Sequence, residues 1–206
     1  LPVEQWQQAG QTVIAFADEQ QILAIFGITD PIKATSAQAV AALQADGVEV
    51  YMLTGDNAAT AQKVAMAVGI SEFKAQAMPA DKAAFVQELQ SQGKVVAMVG
   101  DGINDSHALA QADVSIAMGK GSDIAMDVAK MTLISSDLQK IPQAIRLSKW
   151  TVVAIHQNLF WAFAYNAAGI PLAAMGYLSP VVAGAAMALS SVSVMTNALL
   201  LKRWKP

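Results

Sequence analysis

A long stretch without any charged side chain constrains this chain more than any other feature of its sequence. From Trp150 to Leu201 there is no Asp, Glu, Lys or Arg, whereas all 16 acidic residues lie at or before Asp137. A helix of about 20 apolar residues is enough to cross a bilayer. The pattern therefore predicts an acidic globular part joined to an uncharged part that can cross a membrane twice.

The composition agrees with a membrane-attached protein and excludes some classes of site. Hydrophobic residues make up 54% of the chain and charged residues 14%, which is too apolar for an ordinary soluble protein of 206 residues. There is no cysteine, so disulfides and thiolate metal sites within this chain are excluded. No basic patch with interleaved aromatic residues indicates nucleic-acid binding. The sequence starts at Leu1, without an initiator methionine and partway through a sequence pattern. We therefore expect a fragment of a longer protein.

Two membrane helices are predicted, over Leu159 to Met175 and over Val181 to Leu201, with an uncharged turn between them. The second segment would be roughly 31 Å long at 1.5 Å per residue. Basic residues flank the pair on one side only, which predicts that both ends face the cytoplasm. These residues are Arg146, Lys149, Lys202, Arg203 and Lys205.

The globular part alternates short apolar runs with helical patterns. Such alternation predicts an α/β fold, with a parallel sheet covered by helices on both faces. A hairpin should come first, over 12–16 and 21–28. The other predicted strands are 48–53, 95–99, 114–117 and 131–134, and the predicted helices are 34–46, 58–68, 82–90 and 106–110. The run from Val95 to Val99 lacks polar alternation, which is typical of a strand buried on both faces.

Two carboxylates follow that buried strand in the string Gly100-Asp101-Gly102-Ile103-Asn104-Asp105. Ligands bind at the carboxyl ends of the strands in open α/β sheets. Asp101 and Asp105 would face one small volume there, where hard oxygen ligands suit Mg²⁺. The alternative is a solvated acidic turn.

A glycine-containing turn, Thr54-Gly55-Asp56-Asn57, lies between the predicted strand 48–53 and the predicted helix 58–68. This arrangement directs backbone N–H groups and a positive helix end at an anion. The alternative is a helix cap made by Asp56 or Asn57. Further along, Asp81 is expected to cap the helix that begins near Lys82. A lysine is poorly placed in a first turn, which suggests that Lys82 is needed for its charge.

The string from Gly100 to Asp105 resembles the magnesium-binding motif of P-type ATPases, the membrane branch of the haloacid dehalogenase-like phosphotransferases. The resemblance implies a Rossmann-like phosphorylation domain, ATP as substrate and Mg²⁺ as cofactor, held by Asp101 with support from Asp105. It also implies a hinge at Asp30 and Pro31. The residues implied to stabilise the transferring phosphoryl group are Thr54, Gly55, Asp56, Lys82 and Asn104.

The uncharged part resembles the copper(I)-transporting branch of the heavy-metal pumps. Tyr165-Asn166 lies in the first predicted span, with Met187 and Ser191 in the second. The resemblance implies that these four residues line a Cu⁺ path, and a thioether is a soft donor that favours Cu(I). The alternative is that the polar groups join neighbouring helices.

The resemblance divides the chain into three parts. Residues 1–29 would be the end of a nucleotide-binding domain with the hinge hairpin, 30–145 an incomplete phosphorylation domain, and 146–206 the two membrane helices with a short cytoplasmic tail. A helix running from about Leu138 into the membrane would couple domain movement to the ion path.

The Asp-Lys-Thr-Gly-Thr phosphoacceptor motif of the family is absent from this sequence. The acceptor strand must then come from upstream, and we expect the isolated chain to be inactive. The implied whole is a multi-pass copper(I) exporter of the cell (inner) membrane. Its expected partners are ATP, copper, a copper chaperone, the lipid bilayer and the upstream remainder of the pump.

Three other readings stay open. The first is a pump for another metal such as Ag, Zn or Cd. The second is a membrane-tethered haloacid dehalogenase-like phosphatase, which the missing acceptor motif disfavours. The third is a non-catalytic regulatory fragment.

Overall fold

A computed structural model describes residues 3–8, 11–28, 31–100, 103–119, 127–177 and 179–203. The chain divides into two compact units, residues 1–140 and 141–206. The division falls five residues before the expected boundary between residues 145 and 146. The expected boundary between residues 29 and 30 stays a prediction.

Unit 1 begins with helix α1 (Val3–Gln8), which the sequence pattern did not predict, followed by the predicted hairpin. Strands β1 (Thr12–Ala17) and β2 (Ile22–Ile28) pair antiparallel. At the turn, a carboxylate oxygen of Asp18 accepts hydrogen bonds from the backbone N–H groups of Gln20 and Gln21, at 2.8 and 2.7 Å. These bonds lower the pKa of Asp18.

The remaining strands of unit 1 are parallel, as expected. Strand β3 (Tyr51–Leu53) pairs with β4 (Glu72–Lys74), and β5 (Ala97–Gly100), β6 (Val114–Met118) and β7 (Met131–Leu133) pair in that order. Within the described ranges these are two separate sheets, where the sequence predicted one. Strand β4 was not predicted, because three exposed residues with the sequence Glu-Phe-Lys carry no apolar pattern.

Four helices accompany these strands: α2 (Ser36–Ala45), α3 (Ala58–Val68), α4 (Pro79–Ser91) and α5 (Ser106–Gln111). Helix α3 ends at Gly69, whose φ of 78° is the left-handed conformation of a helix cap. A buried cluster from α4, β5, α5 and β6 holds these four elements together. Its members are Val86, Met98, Ala108, Leu109, Ala112 and Ala117.

Two predicted strands are shorter than expected because their first residues are bonded elsewhere. The backbone N–H of Val48 donates to Leu43 O at 3.0 Å and closes the end of α2. That of Val96 donates to Asp113 Oδ2 at 2.9 Å, a bond that lowers the pKa of Asp113. Strand β5 is also not buried on both faces, since Ala97 is exposed.

Helix α4 begins three residues earlier than predicted, and Asp81 is not its N-cap. Met78 occupies that position, with Pro79 as the first helical residue. Asp81 Oδ2 instead accepts the backbone N–H of Met78 at 2.9 Å. Lys82 is therefore the fourth residue of the helix, where the unfavourable effect of the helix dipole is weaker than the sequence argument assumed.

Unit 2 contains two helices. Helix α6 (Lys140–Ala174) is continuous over 35 residues and includes Pro171, and α7 spans Pro180–Leu200. Ser179 caps α7 by accepting the backbone N–H of Val182 at 3.3 Å. Among the described residues, only α7 is both long and apolar enough to cross a membrane. The expectation of two crossings is met by this criterion for α7 alone. The predicted span within α6 is shorter and contains Asn166.

Candidate functional site

The turn after β3 folds on itself and caps the next helix. Thr54 Oγ1 donates to Asp56 Oδ2 at 2.9 Å and accepts the backbone N–H of Asp56 at 3.1 Å. Asn57 Oδ1 accepts the backbone N–H of Thr60 at 2.9 Å, so Asn57 is the N-cap of α3. Thr54 and Asp56 are thus mutually bonded, and the capping role proposed for Asp56 or Asn57 belongs to Asn57.

This turn is tied to the segment that leads into α4. Thr54 bonds through its backbone on both sides, as donor to Lys74 O at 3.0 Å and as acceptor from Ala77 N at 2.9 Å. Gln76 N donates to Asp56 O at 2.8 Å. Because Met78 then caps α4, the end of β3 and the start of the helix that carries Lys82 are fixed to one another.

Lys82 reaches from α4 to the end of β5. Its Nζ lies 2.7 Å from Asp105 Oδ1, and each side chain is only 14% exposed. Ion pairs that are this well shielded interact more strongly than surface pairs, because water screens them less. The structure therefore brings together two of the predicted site residues, from different elements, at the carboxyl end of a parallel strand.

Gly100 makes this close approach possible. A Cβ atom at position 100 would lie 2.7 Å from Asp105 Cβ and 2.9 Å from Asp105 Oδ2. No such crowding occurs at Gly55, where the nearest atom would be Ala77 O at 4.0 Å. The close approach of Asp105 to the end of β5 therefore depends on the missing side chain of Gly100.

The expected magnesium site is described in part. Asp101 lies outside the described residues, and so does Asp30 of the expected hinge. Asn104 is exposed in a 3₁₀ turn over Ile103–Asp105. In the ranges that the structure covers, no three His, Cys, Asp or Glu side chains form a cluster. Asp105 has a carboxylate, an oxygen ligand of the kind that Mg²⁺ prefers. Its chemistry therefore fits the supporting role in Mg²⁺ binding that the sequence motif implies.

The segment after the expected hinge is bonded to the residues just before α6. Pro31 is exposed, while Lys33 Nζ donates to Ser136 O at 2.8 Å and Thr35 Oγ1 donates to Asp137 Oδ1 at 2.7 Å. The hydroxyl of Thr35, followed by the backbone N–H of Gln139, lowers the pKa of Asp137. Helix α6 begins at Lys140, so this contact fixes the last residues of unit 1 before it.

Among the described residues, no hydrogen bond or ring contact joins the expected ion-path residues of α6, Tyr165 and Asn166, to those of α7, Met187 and Ser191. Tyr165 is half-buried beside Trp161, with 6.2 Å between ring centroids, and Asn166 Nδ2 donates to Ala162 O of its own helix at 2.8 Å. Ser191 Oγ donates to Met187 O at 3.2 Å, and Met187 is 74% exposed. Two polar residues that the sequence analysis passed over, Asn158 and Asn197, are the ones that bond across the helix pair. Their position inside the uncharged stretch was the available signal.

Comparisons with known proteins show which proteins this chain is similar to. Residues 2–113 match the family described as haloacid dehalogenase-like hydrolase. Among curated proteins, a probable copper-transporting ATPase, PacS, of Synechococcus elongatus is 54% identical over 98% of the chain and 28% of its own length. A copper-exporting P-type ATPase of Staphylococcus saprophyticus is 51% identical over 98% of the chain and 25% of its length. A probable copper-importing P-type ATPase A of Enterococcus hirae is 52% identical over 96% and 27%.

Two solved structures of ATPases are also similar to this chain, at lower identity than the curated relatives. A zinc-transporting PIB-type ATPase in its E2.Pi state superposes with a TM-score of 0.80 at 36% identity, over 97% of this chain and 33% of its own. The catalytic domain CopB-B of a CPx-ATPase matches 61% of the chain and 49% of its own with a TM-score of 0.51 at 32% identity. The resemblance to copper-transporting P-type ATPases is confirmed, and the chain spans about a quarter of the length of these curated relatives.

Proposed function

Since the chain belongs to the haloacid dehalogenase-like hydrolase family, we propose that it is the part of an ATP-driven copper(I) export pump that supplies the phosphoryl-transfer residues and part of the membrane metal path. The observation that carries this proposal is the shielded ion pair of Lys82 with Asp105. A cation and a carboxylate fixed at the carboxyl end of a parallel strand are the groups that phosphoryl transfer needs, because its catalysis consists mainly of positioning and charge stabilisation.

Each side chain has a separate task at this site. Asp101 and Asp105 would hold Mg²⁺, which when bound offsets the charge of the phosphoryl oxygens. Lys82 places its cation beside Asp105, while Thr54, held by Asp56 and by the backbone of Ala77, presents a hydroxyl from the end of β3. Asn104, exposed in the turn before α5, can donate an amide hydrogen to the same oxygens.

The two separate parallel sheets support an acceptor strand from upstream. In the described residues β3 pairs only with β4, and β5 pairs only with β6. Strand β3 leads directly into Thr54, and Asp105 follows the end of β5 by five residues. A strand supplied by the upstream part of the pump, and ending in the phosphoacceptor aspartate, could pair with both free edges. It would join the sheets and bring the acceptor to the ion pair.

The choice of copper rests on the relatives and on donor chemistry. The three curated relatives are named for copper, and the thioether of Met187 is a softer donor than any oxygen. Export is the direction we propose, although the relatives' names include both export and import. The pump would be a multi-pass protein of the cell (inner) membrane, with unit 1 and the end of the chain in the cytoplasm. A copper chaperone would deliver the ion.

A second candidate is transport of a divalent metal. It is favoured by the structural similarity to a zinc-transporting pump over 97% of the chain. The copper relatives are 51–54% identical and the zinc pump is 36% identical, which favours copper. Stimulation of ATP hydrolysis by Zn²⁺ and not by copper(I) would decide for the second candidate.

The test of the proposal is phosphorylation of the complete pump by labelled ATP after Lys82→Met. Loss of one preorganised charge costs on the order of 10²–10³ in rate, so we expect the phosphoenzyme to form at least about 100-fold more slowly. Lys63→Met, on the exposed face of α3, is the matched control and should leave this rate unchanged. Equal phosphorylation in the Lys82→Met variant and the wild type would overturn the proposal.

A further inference from the structure

Two asparagines join the helices of unit 2, and neither has a task in the function proposed above. Asn197 Nδ2, on α7, lies 2.9 Å from Asn158 Oδ1 and 3.4 Å from Ala154 O, both on α6. Both asparagine side chains are half-buried. One amide of α7 thus contacts two successive turns of α6.

Four other polar side chains described in these helices behave differently. Thr151, Asn166, Ser191 and Ser193 each bond to the carbonyl oxygen four residues earlier in their own helix. Such bonds satisfy the side chain but carry no information about the partner helix. The asparagine pair is therefore a specific polar contact between the two helices.

This contact defines which residues of the two helices lie at the same depth. The helices run antiparallel, because α7 begins at Pro180, shortly after α6 ends at Ala174, and Asn197 near the end of α7 meets the middle of α6. Asn166 lies 12 residues beyond Ala154 and 8 beyond Asn158, a mean of 10, and Met187 lies 10 residues before Asn197. With the same rise per residue in both helices, Asn166 and Met187 come to the same level, about 15 Å from the asparagine pair.

The register would be poorly fixed without such a contact. Apolar surface gives no net drive for helix association in lipid, where packing and interhelical hydrogen bonds decide the pairing. The part of α7 near Met187 is lined by small residues, Ala183, Gly184, Ala185, Ala186 and Ala188, which would accept several alignments. A shift by one turn would displace Met187 from Asn166 by about 5.4 Å.

We infer that Asn158 and Asn197 are positioning residues, whose hydrogen bond sets the register of α6 and α7 so that Asn166 and Met187 lie at one depth of the metal path. This inference rests on the proposed function, since it concerns the same path. The pair does not touch the ion, and it acts by placing the residues that do.

The test uses the complete pump in membranes, with two measurements. The first is the copper(I) concentration that gives half-maximal stimulation of ATP hydrolysis. The second is phosphorylation by inorganic phosphate in the presence of Mg²⁺ and without copper(I), which needs the phosphorylation site but not the transported ion. We expect Asn158→Leu and Asn197→Leu each to raise the half-maximal copper(I) concentration about tenfold or more, with phosphorylation by phosphate unchanged.

Two further variants separate register from general damage. The double variant should shift the copper(I) dependence no further than Asn197→Leu alone, because that variant already loses the contacts to both Asn158 and Ala154. Gln157→Leu, an exposed amide next to Asn158, should behave as the wild type. Multiplicative shifts in the double variant, an unchanged copper(I) dependence, or loss of phosphorylation by phosphate would each overturn the inference. If the wild-type pump responds to another metal, the proposed function fails, and the same comparison made with that metal still tests the pair.

Discussion

At the scale of single residues, the ion pair of Lys82 with Asp105 depends on Gly100, the last residue of β5. A methyl group at position 100 would lie within 3.0 Å of the Cβ, Cγ and Oδ2 atoms of Asp105. Overpacking of this kind costs about 1–3 kcal/mol, and here it would displace the carboxylate that Lys82 holds.

We therefore predict that Gly100→Ala lowers the rate of phosphoenzyme formation in the complete pump by at least about tenfold, which corresponds to about 1.4 kcal/mol. The rate of labelling by ATP measures this directly. Ala110→Ser, an exposed change in the neighbouring helix α5, provides the control for handling and expression. Labelling of Gly100→Ala at the wild-type rate would show that Asp105 need not occupy this position.

At the scale of elements, the segment before α6 is held by the hydrogen bond from Thr35 to Asp137. The pKa of Asp137 is lowered in the folded state, so its contribution to stability is present above the ordinary carboxyl pKa of about 4 and is lost as the pH falls through the lowered folded value. We predict that Thr35→Val lowers the melting temperature at pH 7, and that the difference from the wild type shrinks towards pH 3.

Thermal melts of the purified chain between pH 7 and pH 3 measure this difference. Thr132→Val, at an exposed position of β7, makes the same chemical change away from Asp137 and should not alter the pH dependence. A difference between Thr35→Val and the wild type that is the same at both pH values would mean that the charge of Asp137 does not stabilise the segment.

The helices and strands also show which parts of the fold can be predicted from the sequence. The hairpin, the glycine stop of α3 and the parallel direction of the strands follow from sequence patterns, because turn residues and apolar runs act on their own neighbours. The predicted start of α4 at Lys82 is wrong. Met78 is not a usual N-cap residue, and only the hydrogen bond from its backbone N–H to Asp81 reveals that the helix starts after it. Strand β4 has no pattern to read, since its pairing with β3 is what makes it a strand.

The candidate site was predictable in its residue types and less so in its contacts. Lys82 and Asp105 were both expected from the motifs, yet they are 23 positions apart and only the fold brings them to 2.7 Å. The crowding between Gly100 and Asp105 and the bond between Asn158 and Asn197 depend on three-dimensional approach and have no counterpart in sequence spacing.

At the scale of the whole molecule, we propose that the chain holds part of a catalytic arrangement. Lys82 and Asp105 are in contact, one edge of β3 and one edge of β5 have no partner among the described strands, and the sequence contains no Asp-Lys-Thr-Gly-Thr motif. Metal transport would couple to this site only in the complete pump, where the acceptor strand and the other membrane helices are present.

Phosphoenzyme formation from labelled ATP, compared between the complete protein and the isolated 206 residues, tests this account most directly. With Mg²⁺ present throughout, we predict that the complete protein forms an acid-stable aspartyl phosphate with copper(I) and none without copper(I). In the isolated chain we predict no label under either condition. Label in the isolated chain, or equal labelling of the complete protein with and without copper(I), would contradict it.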